Sequence, residues 1–215
     1  MIRVLLVDDH DLVRTGLRRI IDDQVDLEVA AEAASGEDAL NLLRSHGPEV
    51  VLMDLNMPGM GGMEAARLVL AIDPGVKVLG VSVHLEGAYP RRFLESGCHG
   101  YVNKGCSAQE LVTAIRTVAQ GKRYLSPDVA QSLAMEHVNA RGHLPLENLS
   151  NRELQVLRLL AQGQSVDEIA EVLHINVKTV YTYRHRLQVK LGCRSPVELT
   201  HVALRQGLID GGDLP

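Results

Sequence analysis

Val50-Val51-Leu52-Met53-Asp54 is a short apolar run that barely alternates and ends on a single acid. A strand with both faces buried reads this way, because neither side needs polar groups. Working outward, similar runs stand at residues 4–7, 27–31, 76–83 and, more weakly, 101–102, separated by longer stretches of helical periodicity. The alternation predicts an α/β domain over residues 1–120, with five parallel strands and five helices wound on both faces.

Beyond residue 120 the pattern changes. Ser150, Ser165 and Ser195, like Ser107 before that point, each stand three residues before a glutamate, the spacing of a capping box. Pro196 follows at the favoured first helical position, and Asn176 is a further N-cap. Gly163, Gly192 and Gly207 stand where helices end. The expectation is an all-α domain over 148–210, with four short helices at about 151–162, 166–173, 177–191 and 196–206. Residues 121–147 read as a linker with one helix near 129–137 and a joint at 140–145; residues 211–215 read as a frayed tail.

The 215 residues are 46% hydrophobic and 23% charged, which excludes collagen, coiled-coil and disordered classes. No apolar run approaches the roughly 18 residues of a membrane span, and no signal-peptide layout is visible. Cys98, Cys106 and Cys193 are widely spaced, so neither a disulfide framework nor a zinc ribbon is expected. These features predict a cytoplasmic protein with reduced thiols and no membrane partner. Residues 1–120 carry a net charge of −6 and residues 121–215 a net of +1, while 174–194 holds five Lys and Arg and no acid. Two domains with different partners are implied.

In open α/β sheets, ligands bind at the carboxyl ends of strands. Here those ends carry Asp8-Asp9, Asp54, Ser82 and Lys104. Carboxylates converging on one rim repel unless a cation joins them, and an all-oxygen donor set suits Mg²⁺. With an ammonium beside it, such a rim suits phosphoryl transfer to a carboxylate. Asp54 stands alone after its strand and is the nucleophile candidate; Asp8 and Asp9 can hold the metal, and Ser82 can bond a phosphoryl oxygen.

Asp8-Asp9-His10, Asp54-Leu-Asn-Met-Pro58-Gly59, Ser82 and Gly100-Tyr-Val-Asn-Lys104 resemble the receiver domain of two-component response regulators. With the C-terminal helices, the resemblance spans nearly the whole chain and points to the NarL/FixJ family, in its GacA/UvrY branch; residues 7–16 and 123–127 fit that branch. The resemblance implies strand order 2-1-3-4-5 and phosphorylation of Asp54 by a sensor histidine kinase. It implies Mg²⁺ held by Asp8 or Asp9, Asp54 and the main-chain carbonyl of Asn56, with Ser82, Tyr101 and Lys104 as switch residues. Two departures stand out: Val83 follows the switch hydroxyl where many receivers have a small residue, and Gly105 follows the lysine where many have Pro.

Residues 166–191 have the form of a helix-turn-helix, whose second helix enters the major groove. They resemble the LuxR-type four-helix module, opened by Leu149-Ser-Asn-Arg-Glu-Leu154. That implies Tyr181, Thr182 and His185 toward base edges and Lys178, Arg186 and Lys190 toward phosphates of double-stranded DNA. Arg184 falls near the apolar edge and is expected to pair with Glu153 or Glu168. Six aromatics in all leave no stacking platform for RNA. Leu199, Val202 and Ala203 lie on one face of the last helix, read as core or as the seam of a homodimer formed in the active state. Of nine histidines, His185 alone holds a position that suggests a role. Met53, Met57, Met60 and Met63 read as packing.

The expected function is a phosphorylation-gated transcription regulator. Two alternatives are a constitutive DNA-binding regulator whose receiver only docks or dimerises, and an Asp54-dependent phosphohydrolase. Asn56 counts against the last, because it stands where such an enzyme would place its second acid.

Overall fold

The computed structural model describes residues 1–83, 88–139, 145–206 and 208–209. Two compact units divide the described residues, the first holding 1–83 and 90–132 and the second holding those from 133 onward together with 88–89.

The first unit alternates β1 (Ile2–Val7), α1 (Asp11–Asp22), β2 (Leu27–Ala33), α2 (Gly36–His46), β3 (Val50–Asp54), α3 (Gly62–Ile72), β4 (Lys77–Ser82), α4 (Ala88–Glu95), β5 (Gly100–Asn103) and α5 (Ala108–Ala119). A two-residue strand, β6 (Tyr124–Leu125), follows. All pairings are parallel, in the order 2-1-3-4-5-6. The sixth strand lies in the stretch read as linker; two residues are too short to show a period. Every residue of β3 is buried, as its unbroken apolar run requires. Leu6, Leu52, Leu79 and Ile115 anchor the core between sheet and helices. Met53, Met57 and Met63 are buried as packing residues.

The register fixes the rim. Val7 pairs with Met53, and Asp54 pairs with Val81, so β1, β3 and β4 end at one level. Ser82 pairs with Asn103, which sets Lys104 just beyond β5. Gly62 is what lets α3 return against that rim: a Cβ there would lie 1.8 Å from the Asp54 carbonyl oxygen.

The helix α6 (Pro127–Asn139) follows, overlapping the helix expected at 129–137. The second unit then holds a 3-10 turn at Pro145–Asn148 and the helices α7 (Asn151–Ala161), α8 (Val166–Val172), α9 (Val177–Leu191) and α10 (Pro196–Arg205). Ser150 and Ser165 form complete capping boxes with Glu153 and Glu168. Ser107 and Ser195 accept from the backbone N–H of their glutamates, and Asn176 caps α9. Gly163 and Gly192 take positive φ after α7 and α9. Arg152 of α7 donates to the Leu173 carbonyl at the end of α8. The next residue, His174, turns the chain toward α9 at φ 51°. Most of the joint expected at 140–145, the tail 211–215 and Gly207 fall outside the described residues.

Candidate functional site

The acidic rim is assembled as its strand ends predict. Asp8 and Asp54 are each 1% exposed, and Ser82 is equally buried. Each acid is held by its own loop. The His10 N–H donates to Asp8 Oδ1 at 2.9 Å, and the Asn56 N–H to Asp54 Oδ1 at 3.0 Å. Lys104 closes the rim, its Nζ 2.8 Å from both Asp54 Oδ2 and Asp8 Oδ2. The Lys104 N–H also donates to the Ser82 carbonyl at 2.8 Å, which ties the ammonium to the end of β4.

Burial pushes the Asp54 carboxyl above the ordinary aspartate range, against the pull of Lys104 and the Asn56 N–H, and Asp8 adds to the rise. For Lys104, burial works downward, but its hydrogen bond to Asp54 and its ion contact with Asp8 outweigh it and hold the ammonium above the usual lysine range. The pocket therefore concentrates negative charge that one ammonium offsets only in part.

A divalent cation fits this arrangement. Asp8, Asp9, His10 and Asp54 each offer a ligand atom, all within 4.8 Å of one another. The shielded oxygens Asp8 Oδ2 and Asp9 Oδ1 accept no hydrogen bond of proper geometry. Their near neighbours are ion contacts, Lys104 for the first and His10 for the second.

Two residues here escaped the sequence reading. His10 places Nδ1 3.1 Å from Asp9 Oδ1 and 3.3 Å from Asp8 Oδ1, which corrects the view that only His185 is well placed. The signal was its adjacency to the acid pair. Arg14, 14% exposed, donates to the Asp8 main-chain oxygen at 2.7 Å and pairs with Asp11 and Glu32. It lies one and a half turns from the acids, a distance that periodicity does not flag.

Tyr101 is fully buried in β5, its ring edge-on to Phe93 at 5.8 Å. Val83, next to the switch hydroxyl, is largely exposed.

In the second unit, α9 buries Val180 and Leu187 and turns Lys178, Tyr181, Thr182, His185 and Arg186 to solvent. Lys190 departs from that set. Its Nζ bonds Glu153 Oε2 at 2.7 Å and the Asn148 carbonyl at 3.1 Å, so without DNA its ammonium is engaged within its own unit. Arg184 pairs with neither expected glutamate; it lies 4.8 Å over the Tyr181 ring, because Lys190 takes Glu153 and Ser165 takes Glu168. Leu199, Val202 and Ala203 are buried as α10 packs on α7, as the core reading of that stripe expects. Val197, His201 and Leu204, at helical spacing on the other face, are exposed or half-buried.

Comparison with known proteins agrees with both units. A family described as response regulator receiver domain matches residues 4–116, and one described as bacterial regulatory proteins, luxR family, matches residues 147–203. A receiver followed by a luxR-family domain defines a two-component response regulator, and this chain belongs to that family. It is similar to the response regulator UvrY of Escherichia coli K12, 44% identical over 215 residues, covering 100% of this chain and 99% of UvrY. It is similar also to GacA of Pseudomonas aeruginosa PAO1, 46% identical over 211 residues, covering 98% and 99%. Among solved structures, ChrA of a heme-sensing two-component system is 35% identical over 97% of this chain and 98% of its own, with TM-score 0.55. A response regulator RcsB–DNA complex is 26% identical over 94% and 96%, with TM-score 0.60.

Proposed function

We propose that this response regulator accepts a phosphoryl group on Asp54 from a sensor histidine kinase and then, as a homodimer, binds double-stranded promoter DNA through α9. The observation that carries the reading is the buried Asp54 carboxylate at the end of β3, with Lys104 2.8 Å away. An Asp54 oxygen attacks the phosphorus of a phosphohistidine; the P–N bond breaks, and the imidazole leaves with a proton from solvent. Lys104 exchanges its contacts with the carboxylates for one with a phosphoryl oxygen. Asp8, Asp9, Asp54 and the main-chain carbonyl of Asn56 would hold Mg²⁺, which supplies neutralising charge on the phosphoryl oxygens.

Ser82 and Tyr101 complete the switch. Ser82 moves onto the phosphoryl group, β4 and α5 repack, and the packing of Tyr101 against Phe93 follows. On DNA, Tyr181, Thr182 and His185 face bases while Lys178 and Arg186 meet phosphates. The RcsB–DNA complex supports this use of the second unit. The dimer seam is assigned to Val197, His201 and Leu204, the face of α10 left outside its own core. Acting on DNA, the protein works in the cytoplasm; no described helix is long and apolar enough to cross a membrane.

The test is exposure of the full chain to a small-molecule phosphodonor with Mg²⁺, read by intact mass. Wild type gains one phosphoryl group and Asp54→Ala gains none. An equal gain in the variant would refute Asp54 as the acceptor.

A further inference from the structure

We propose that His10 is a nitrogen ligand of the cation site, so that the pocket binds a divalent transition-metal ion, with Mn²⁺ as the probe, more tightly than its oxygen ligands alone would. The inference rests on the reading of this pocket as a cation site.

The backbone of His10 is held on both sides. Its N–H donates to Asp8 Oδ1 at 2.9 Å, and its carbonyl accepts the Arg14 N–H at 3.0 Å, opening α1. Residue 10 is the N-cap of that helix, yet its side chain makes no capping hydrogen bond. The imidazole instead stands over the acids, Nδ1 3.1 Å from Asp9 Oδ1 and 3.3 Å from Asp8 Oδ1. The nearer contact lacks hydrogen-bond geometry, for Asp9 Oδ1 accepts no donor although it is shielded from solvent. Adjacent ligands around one small divalent ion stand roughly 3 Å apart when each bond is about 2.1 Å. The Nδ1–carboxylate spacings match that separation.

The consequence is selectivity. Mg²⁺ favours oxygen and gains little from an imidazole, whereas later divalent ions gain affinity from nitrogen. The His10 side chain is 62% exposed, so it can seat on an ion without disturbing the core. Removing it should therefore separate the two ions.

The experiment uses the full chain with Mn²⁺ as probe, in wild type and His10→Gln, with circular dichroism confirming that the variant is folded. Bound Mn²⁺ that Mg²⁺ displaces is examined for ¹⁴N coupling by pulsed electron paramagnetic resonance. Wild type should show the coupling and His10→Gln should not; the variant's Mn²⁺ affinity should fall several-fold while Mg²⁺ affinity holds. Displaceable Mn²⁺ without nitrogen coupling, or coupling that persists in His10→Gln, would overturn the assignment and leave the cation site standing. Failure of wild type to bind either ion would remove both.

Discussion

Lys190 Nζ and Glu153 Oε2 stand 2.7 Å apart, joining the last turn of α9 to the first turn of α7. Glu153 is 2% exposed and also completes the capping box of Ser150, so one carboxylate serves a helix start and the seating of α9.

Lys190→Met should leave that carboxylate buried beside an apolar stem. With Lys190 itself partly in water, the loss should be about 1–2 kcal/mol, below the value for a fully buried pair. Burial works to raise the Glu153 carboxyl, but the bonds from Lys190 and Ser150 outweigh it and hold it below the usual glutamate range. A depressed carboxyl stabilises the fold above its unfolded pKa, and that contribution is lost as pH falls through the folded value. Urea unfolding followed by circular dichroism should show the Lys190→Met deficit at pH 7 shrinking as the medium is acidified below the glutamate range.

Arg14 holds the main chain of Asp8 from the side of α1. Arg14→Gln should weaken Mg²⁺ binding by about tenfold, the usual scale for a group that orients a ligand, and Arg14→Lys should recover part of it. Calorimetric titration with Mg²⁺ measures this; unchanged affinity in Arg14→Gln would show that the acids hold their place unaided.

Gly62 touches the main chain of Asp54 so closely that a Cβ would overlap the carbonyl oxygen. Gly62→Ala should cost about 1–3 kcal/mol as an overpacked site and slow phosphorylation by displacing Asp54. A thermal melt and a phosphodonor time course read the two effects.

The basic face of α9 divides by what each cation already touches. Lys178→Ala and Arg186→Ala should each weaken binding to any duplex and lower the slope of log affinity against log salt by about 0.9. Thr182→Ala should lose discrimination among sequences and keep the salt slope. Lys190→Met should leave the slope near that of wild type, because its ammonium is bound to Glu153.

Much of this was legible in the sequence because the signals are local. The apolar runs ending in Asp8, Asp54 and Ser82 mark strands, and the Ser-x-x-Glu boxes mark α7, α8 and α10 within a residue. What escaped depends on contacts between distant residues. Lys190 and Glu153 are 37 positions apart, and no spacing rule joins them. Leu199, Val202 and Ala203 make an apolar stripe that reads alike as core or seam; that the stripe packs on α7 depends on a helix about 40 positions away. β6 is too short to carry a pattern.

The central claim is that Asp54 gates DNA binding, and anisotropy of a labelled duplex tests it most directly, with Mg²⁺, with and without a small-molecule phosphodonor, for wild type and Asp54→Ala. The donor should tighten binding by wild type at least fivefold, about 1 kcal/mol of differential stabilisation, and leave Asp54→Ala unchanged. Equal affinity of phosphorylated and unmodified wild type, with Asp54 shown by mass to be modified, would contradict it.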